Sequence, residues 1–373
     1  MSAATRQMHL GVFVLGAGNH SAGWRWEGAA VSNNDLAVIQ EIARIAERGK
    51  FDLLFVSDGL DYEQGDLPSF MCRFEPTSLI SVLSAHTTRL GLGATVSTSF
   101  TEPYNVARLF ASIDHVSQGR AAWNVVTSSR PKAALNFNSD RQMDHKLRYQ
   151  RAEEFVDVVK GLWDCWEDGA LVADKASAVY IDDSKIRPLD HKGRFFQVKG
   201  PMNIARCPQG HPVIIQAGGS PSGLELAART ADVVFSVVQE LDSAKKAYAD
   251  LKGRMAKYGR SPEQLSVLPG VMPIIRRERG RGEGKAQPAA ELADPDQRPD
   301  PGDWPDRLRC QRLPARRPGT AAAAFRRRPH LPPRALRHGA AAEHDPARPL
   351  QPYRCGARPL GHLRHPNWDC RHP

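Results

Sequence analysis

Short apolar segments alternate with amphipathic segments seven times over residues 1–275. The apolar segments have the length and near-continuous hydrophobicity of strands that are buried on both faces. The amphipathic segments have the period of helices. A repeated strand-then-helix order makes neighbouring strands parallel and covers the sheet with helices. The first 275 residues are therefore predicted to form an α/β fold around a parallel sheet.

The same pattern sets approximate bounds for each element. Seven strands are predicted, at residues 9–15, 51–56, 90–97, 120–127, 212–216, 233–238 and 265–275. Helices are predicted from residue 34 or 35 to 49, from Pro76, over 103–116, over 145–166, after the Ser220 cap with Pro221 in the first turn, and over 241–258. The polar stretch at about 167–210 is predicted to be an insertion that contains a hairpin. The apolar face of the first helix is predicted to comprise Leu36, Ile39, Ile42 and Ile45.

Two architectures accommodate such units, an open doubly wound sheet and an eight-stranded barrel. Strands that follow one another in order, each continuously apolar, favour a TIM-type (β/α)8 barrel. Only seven units are readable, because the composition changes just after the seventh strand. The barrel is therefore expected to be incomplete, with its first and seventh strands as open edges.

Residues 276–373 have a different composition from the rest of the chain. They contain no Ile, Val, Met or Ser, and they carry 16 of the 28 prolines. They hold 20 Arg and one Lys against 11 acidic residues, which accounts for the whole formal net charge of +10. Strands and cores normally need β-branched residues, and frequent proline excludes long helices. We therefore expect a basic Arg/Pro/Ala-rich tail that is largely unstructured.

Two origins of this tail stay open. One is a natural disordered tail, although such tails favour Ser, Glu, Lys and Gln, and Ser is absent here. The other, which we favour, is a shift of reading frame in GC-rich coding DNA, because that enriches Arg, Pro, Ala, Gly and His together. A frameshift implies an inactive product of a damaged gene. The nucleotide sequence across the codon for Arg276 would distinguish the two origins.

The distribution of charge bears on whether the chain binds nucleic acid. Residues 1–275 hold 30 basic and 30 acidic residues, so they provide no net field that attracts a polyanion. A basic nucleic-acid-binding protein is the non-enzymatic alternative, and it would depend on the tail alone. Few aromatic residues lie among the tail arginines to stack on bases, so nucleic acid is not the expected partner.

Other features disfavour membrane, secreted and metal-binding classes. No run of 18 apolar residues is present, and the first ten residues lack a basic region followed by an apolar run. The six cysteines form no Cys-x-x-Cys pair and have no metal-like spacing, including the three in the tail with its six histidines. We therefore expect a cytoplasmic protein with no metal site.

Polar residues lie where the predicted strands end, which is where a parallel barrel binds its ligands. Asp58, Thr95 and Asn124 lie at the ends of the second, third and fourth strands. His145 and Tyr149 open the fourth helix, one turn apart on the same face. Each residue alone is more often structural, as a cap, a packing group or a satisfied buried group. Their convergence at one barrel mouth predicts a binding site.

The segment Gln216-Ala-Gly-Gly-Ser-Pro-Ser-Gly223 is the strongest local signal. Its adjacent glycines let the backbone approach a ligand, and Ser220 and Ser222 offer hydroxyl groups. Free N–H groups at the start of the following helix favour a phosphate. An ordinary capped turn explains the same residues equally well. Neither a Walker lysine nor a dinucleotide-type Gly-x-Gly-x-x-Gly is present.

Four segments together resemble those of a known family. In chain order they are Gly18-Asn-His-Ser-Ala-Gly-Trp-Arg25, Phe51-Asp-Leu-Leu-Phe-Val-Ser-Asp58, Arg120-Ala-Ala-Trp-Asn-Val-Val-Thr-Ser128 and Gln216-Ala-Gly-Gly-Ser-Pro-Ser-Gly223. Their order resembles the bacterial luciferase-like flavin monooxygenases, in particular the nitrilotriacetate and dibenzothiophene-sulfone monooxygenase group. The likeness spans about residues 8–275. Members of the family continue with a helix, an eighth strand and a closing helix, and nothing after Ile275 resembles them.

This resemblance implies a two-component enzyme. Reduced FMN supplied by a separate flavin reductase would react with oxygen, and a flavin peroxide adduct would oxygenate a small organic substrate. The resemblance places FMN contacts on Asp58, Thr95, His145, Tyr149 and Ser220, with Asn124 as a further candidate. It assigns no catalytic residue, and His20, in the long loop after the first strand, is a candidate for handling the substrate or a proton. A deazaflavin-dependent oxidoreductase on the same barrel is the enzymatic alternative, and a homo-oligomer is compatible with the family.

Overall fold

A computed structural model describes residues 8–18, 23–25, 28–63, 66–238 and 240–271. His20 and the whole of residues 276–373 lie outside these ranges, so the expectations for both stay predictions. Among the helices of the described part, none combines the length and the hydropathy needed to cross a bilayer.

Eleven strands and six α-helices make up the regular structure of the described residues. The strands are β1 (Gly11–Phe13), β2 (Leu53–Val56), β3 (Gly91–Ser97), β4 (Ala121–Val126), β5 (Leu171–Asp174), β6 (Val179–Ile181), β7 (His191–Lys192), β8 (Gln197–Val198), β9 (Val213–Gln216), β10 (Val233–Ser236) and β11 (Ser266–Pro269). The helices are α1 (Leu36–Arg48), α2 (Pro76–Ser84), α3 (Pro103–Ser117), α4 (His145–Trp163), α5 (Pro221–Thr230) and α6 (Leu241–Met255).

Seven of these strands form one parallel sheet in the order β1-β2-β3-β4-β9-β10-β11. Each strand pairs with the next strand of the sheet along the chain, as the strand-then-helix rhythm predicts. The predicted TIM-type barrel with seven readable strands is therefore confirmed for the described residues. Strands β5 to β8 pair as two separate antiparallel hairpins in the insertion between α4 and β9. The pattern had predicted one hairpin there.

Several elements end earlier than their hydrophobic pattern does. The fourth helix ends at Trp163 instead of residue 166, because the N–H of Asp164 closes the last turn on Lys160 and Leu162. The sixth helix ends at Met255 and continues as one 3-10 turn. β1 and β11 are likewise shorter than predicted, at three and four residues.

The apolar face of α1 is rotated from the predicted one. Ile39 is buried, but Ile45 is 51% exposed, and Ala43 and Ala46 are buried in its place. The prediction that Ile45 belongs to the core face was wrong, since small alanines let α1 approach the sheet closely.

Side-chain caps fix where the helices begin near the carboxyl ends of the strands. Asp35 accepts a hydrogen bond from the N–H of Val38, which settles the start of α1. Glu75 caps α2 by accepting from the backbone of Thr77 and Ser78. Because Glu75 performs that role, Asp58 is not needed as the cap of α2.

Aromatic rings fill part of the interior of the barrel. Phe13, Phe55 and Phe235 form a cluster with ring centroids 5.3–6.2 Å apart. No ladder joins β1 to β11 among the described residues. A Cβ placed on Gly11 of β1 would nevertheless lie 3.2 Å from Cδ2 of Leu268 on β11. The two open edges therefore approach each other through a side chain instead of through backbone hydrogen bonds.

Candidate active site

A cavity of about 240 Å³ lies at the carboxyl ends of β2, β3, β4 and β9, where the sequence predicts a ligand site. Its lining comprises Asp58, Gly59, Leu60, Asp61, Thr95, Ser97, Val125, Val126, Thr127, Ser128, Ser129, Arg130, Ala133, Tyr149, Gln216, Ala217, Gly218, Gly223 and Leu226. The lining mixes apolar groups with carboxylates, hydroxyls and exposed backbone, as ligand-binding cavities do.

Asp58 supplies a partly buried carboxylate to this cavity. Its Oδ1 accepts a hydrogen bond from the N–H of Gly59 at 2.8 Å. Burial raises the pKa of Asp58, and the Gly59 hydrogen bond and the positive charge of Arg73 only partly oppose that rise. Asp58 can therefore accept a hydrogen bond from a ligand and is easier to protonate than a surface aspartate.

Thr95 and Asn124 are register partners on β3 and β4. The Thr95 hydroxyl donates to the carbonyl of Val56 at 2.9 Å and accepts from Nδ2 of Asn124 at 2.8 Å. Both residues are at least 97% buried. Oδ1 of Asn124 is also buried, and it has no hydrogen-bond partner. An unpaired buried carbonyl oxygen is costly, so a donor from a ligand would satisfy it.

Tyr149, His145 and Ser220 come together beside the cavity. The hydroxyl of Ser220 donates to that of Tyr149 at 3.4 Å, which joins the start of α5 to the first turns of α4. The rings of His145 and Tyr149 have centroids 4.9 Å apart, as their spacing on one helix face predicts. Tyr149 lines the cavity, whereas His145 is exposed and contacts it through Tyr149.

The glycine turn before α5 is built for close approach of backbone. A Cβ on Gly218 would lie 3.2 Å from Cα of Gly223, and a Cβ on Gly223 would lie 3.1 Å from Cα of Gly218. A Cβ on Gly219 would meet no atom within 4 Å. Ser220 caps α5 by accepting from the N–H of Gly223 at 3.1 Å. The turn therefore has both a structural role, in the cap, and an open backbone at Gly219 that a ligand can approach.

The sequence pattern missed two hydroxyl groups in the cavity wall. The Ser128 hydroxyl donates to that of Ser97 at 2.8 Å, so the ends of β3 and β4 are also joined above their ladder. Ser128 has a left-handed backbone with φ of 51°. The β3–β4 register places the two residues together, and that register is not visible in either segment alone.

A cluster of ion pairs holds the loop after β2 in place. The sequence pattern did not predict this cluster. Nε of Arg130 lies 3.0 Å from Oδ2 of the buried Asp61, and Nη2 of Arg130 contacts both oxygens of Asp66 at 2.9 Å. Glu63 pairs with Arg130 and with Lys132. These residues lie 64 or more positions apart across the cavity mouth, so only the fold brings them together.

The barrel and its site define a class of protein, an α/β barrel enzyme that binds a small ligand at the carboxyl ends of its strands. The sequence model of the family described as luciferase-like monooxygenase matches residues 8–343. The chain belongs to this family of flavin-dependent oxidoreductases. The match continues past residue 275, so the expectation that nothing after Ile275 resembles the family was wrong.

Characterised relatives are consistent with that membership. The chain is 46% identical to N-acetyl-S-(2-succino)cysteine monooxygenase of Bacillus subtilis, over 79% of this chain and 67% of the relative. It is 44% identical to nitrilotriacetate monooxygenase component A of Aminobacter aminovorans, over 79% of this chain and 68% of the relative. The expected likeness to nitrilotriacetate and dibenzothiophene-sulfone monooxygenases is confirmed. The chain spans about two thirds of the length of such relatives.

Solved structures agree with the fold. A riboflavin lyase, solved with modified FMN and riboflavin, superposes with a TM-score of 0.67 at 30% identity, over 71% of this chain and 62% of the lyase. The modified FMN in that structure agrees with the flavin cofactor that the resemblance implies.

Proposed function

We propose that this chain binds reduced FMN in the cavity described above and oxygenates a small organic substrate with molecular oxygen. The observation that carries the proposal is the convergence of Asp58, Thr95 and Tyr149 on one cavity at the strand ends, with Ser220 hydrogen-bonded to Tyr149. Family membership supplies the reaction class. The assignment of FMN contacts to these residues is part of the proposal.

The residues present fit FMN in two parts of the site, the polar groups at the strand ends and the open glycine turn before α5. Asp58 lines the cavity and is an acceptor for a ring N–H. Asn124 is not among the lining residues, but it is bonded to Thr95, which is, and we assign its unpaired Oδ1 as a second acceptor. The hydroxyls of Tyr149 and Ser220 and the open backbone at Gly219 offer donors and space for a phosphate. We assign His145 to the outer edge of the phosphate site, through its ring contact with Tyr149.

Each group has a definite task in this assignment. Bound reduced FMN supplies the electrons with which molecular oxygen is activated. Thr95 and Asn124 orient the ligand from the sheet, because the Val56 carbonyl holds the Thr95 hydroxyl and that hydroxyl in turn holds the amide of Asn124. Asp58 holds a hydrogen bond or a proton at its carboxyl oxygen, and the apolar lining beside it limits access of water.

A flavin reductase is the partner that this assignment requires. One relative is named as a component of its monooxygenase, and another is named as a synthase subunit alongside a separate second subunit. We infer that reduced FMN reaches this chain by transfer from a separate protein. The cytoplasm, where reduced nicotinamide is available, is the proposed location.

The direct test is binding followed by turnover. The full chain is titrated with FMN and, anaerobically, with reduced FMN, and binding is followed by flavin fluorescence. A reductase with NADH then supplies reduced FMN while oxygen uptake is measured against small organic sulfones, thioethers and aminocarboxylates. Substrate-dependent oxygen incorporation supports the proposal. Selective binding of a deazaflavin with no affinity for FMN would establish the alternative hydride-transferring oxidoreductase instead.

Ser220→Ala is expected to weaken FMN binding by about 1–2 kcal/mol, because a hydroxyl partner of a charged group is lost. The measurement is the FMN dissociation constant by fluorescence titration. Ser220 also caps α5, so Asp35→Ala is the matched control, since it removes a cap from α1, away from the cavity lining. Equal FMN affinity in wild type and Ser220→Ala would place the phosphate elsewhere.

A further inference from the structure

Arg148 in the first turns of α4 is a buried cation that forms no ion pair with a carboxylate of the described residues. The residue is 7% exposed. Its Nη1 donates to the carbonyl of Thr127 at 3.3 Å and also to the carbonyl of Ser128. None of the ion pairs found among the described residues includes Arg148. Burial lowers its pKa, and Asp144 and Tyr149 offset that effect only in part.

Burying a guanidinium that has no ion-paired carboxylate costs free energy. Its role therefore lies in the groups that it contacts. What it contacts is the end of β4, where Thr127 and Ser128 line the cavity. The Ser128 carbonyl also accepts from Nε2 of Gln142 at 2.5 Å. Two side-chain donors therefore hold one carbonyl of a residue whose left-handed backbone is itself unfavourable for serine.

We propose that Arg148 is a positioning residue of the flavin site: it holds the Thr127–Ser128 backbone so that the Ser128 and Ser97 hydroxyls and Tyr149 keep their places in the cavity wall. Arg148 acts through these residues and is not assigned a contact with ligand. The claim that Arg148 affects flavin binding rests on the proposed function. The claim that Arg148 holds the Thr127–Ser128 backbone in the cavity wall does not.

The shape of arginine explains why this residue type is needed. The planar guanidinium places Nη1 six bonds from Cα and directs its two N–H groups at the two neighbouring carbonyls. A lysine keeps the charge and has enough donors, but its nitrogen lies one bond nearer to Cα and its N–H directions are not fixed by a plane. The Lys variant therefore separates the charge of Arg148 from its positioning role.

The chain offers a matched control in Arg151, one turn further along α4. Arg151 is also partly buried, donates to a carbonyl, that of Thr101, at 3.3 Å, and packs over the ring of Phe196 at 4.6 Å. Burial lowers its pKa as well. It does not line the cavity and does not contact the Thr127–Ser128 backbone.

The experiment compares Arg148→Met, Arg148→Lys and Arg151→Met in the full chain. FMN dissociation constants are measured by fluorescence, and amide hydrogen exchange of peptides covering residues 125–131 is measured without flavin. We expect Arg148→Met to raise the dissociation constant roughly tenfold or more, Arg148→Lys to recover part of that loss, and Arg151→Met to stay within about twofold of wild type. Exchange at 125–131 should rise in Arg148→Met but not in Arg151→Met.

The outcomes separate this inference from the proposed function. Unchanged exchange at 125–131 in Arg148→Met, or in Arg148→Lys if the Met variant does not fold, overturns the positioning role. Equal loss of FMN affinity in the Arg148 and Arg151 variants overturns it as well, since general destabilisation would then explain both. A wild-type chain that binds no FMN contradicts the proposed function, while the exchange comparison still decides whether Arg148 holds the wall.

Discussion

Replacing Glu154 with alanine is expected to lower the free energy of unfolding by about 3 kcal/mol, because one carboxylate organises a whole hairpin. Glu154 lies on α4, and its side chain is 15% exposed. It accepts from Nε2 of His191 at 3.0 Å and from the N–H groups of Arg194, Phe195 and Phe196 at 2.9–3.1 Å. Those donors surround the turn of the β7–β8 hairpin, so alanine would leave them without an acceptor.

The same site makes stability depend on pH. Burial opposes ionisation of Glu154, but the hydrogen bonds from His191, Phe195 and Phe196 outweigh it and hold the pKa of Glu154 below its usual value. A carboxyl with a lowered folded-state pKa stabilises the fold above its unfolded pKa and loses that contribution as the pH falls. We expect wild type to lose stability between about pH 5 and pH 3 more steeply than Glu154→Gln.

Urea unfolding at several pH values measures both effects. Glu167→Ala is the matched control, because Glu167 lies in the insertion that contains the β7–β8 hairpin and its side chain forms an exposed ion pair with Arg187, worth about 0–1 kcal/mol. A loss in Glu154→Ala no larger than in Glu167→Ala would show that the hairpin is held by other contacts.

Arg120→Met is expected to cost about 3 kcal/mol, at the opposite end of the barrel from the cavity. The guanidinium of Arg120 makes five hydrogen bonds, which matches its five N–H donors. Its acceptors are the carbonyls of Ser84, Thr87, Leu90 and Ser117 and the Thr87 hydroxyl, at 2.7–3.0 Å. Methionine would fill the space but leave four partly buried carbonyls without this donor.

Chemical denaturation of Arg120→Met, Arg120→Lys and the control Arg89→Met tests this account. Arg89 is exposed in the α2–β3 loop, which supplies the Thr87 and Leu90 acceptors of Arg120, so its variant should differ from wild type by less than about 0.5 kcal/mol. The Lys variant should lie between, since an ammonium has three donors. FMN affinity of the folded Arg120→Met protein should match wild type, because Arg120 does not line the cavity. Wild-type stability in Arg120→Met would contradict the assigned role.

The order of the strands and the place of the cavity were predictable from sequence. Apolar runs mark buried parallel strands, and the polar residues that end them, such as Asp58 and Thr95, meet at one edge of the sheet. The Tyr149–Ser220 contact needed the fold, but both residues were singled out by their positions at helix starts. The local sequence pattern was sufficient to predict the role of a residue where that role depends only on the helix or strand that contains it.

Roles that depend on distant elements were not predictable. The Ser97–Ser128 pair depends on the β3–β4 register, and the Asp61–Arg130 pair joins two loops. The second hairpin of the insertion escaped notice because β7 and β8 have two residues each, too few to show a period. Arg148 directly precedes Tyr149 in the sequence. The pattern around a single arginine in a helix does not show whether its side chain is solvated or buried.

The ring cluster of Phe13, Phe55 and Phe235 has a consequence for the route by which a ligand reaches the cavity. Phe55 pairs with Gly93, two residues before Thr95 on β3, so the rings lie one side-chain layer beneath the floor of the site. They occupy the barrel interior between β1, β2 and β10. A ligand is therefore expected to enter and leave the cavity at the carboxyl ends of the strands and not along the barrel axis.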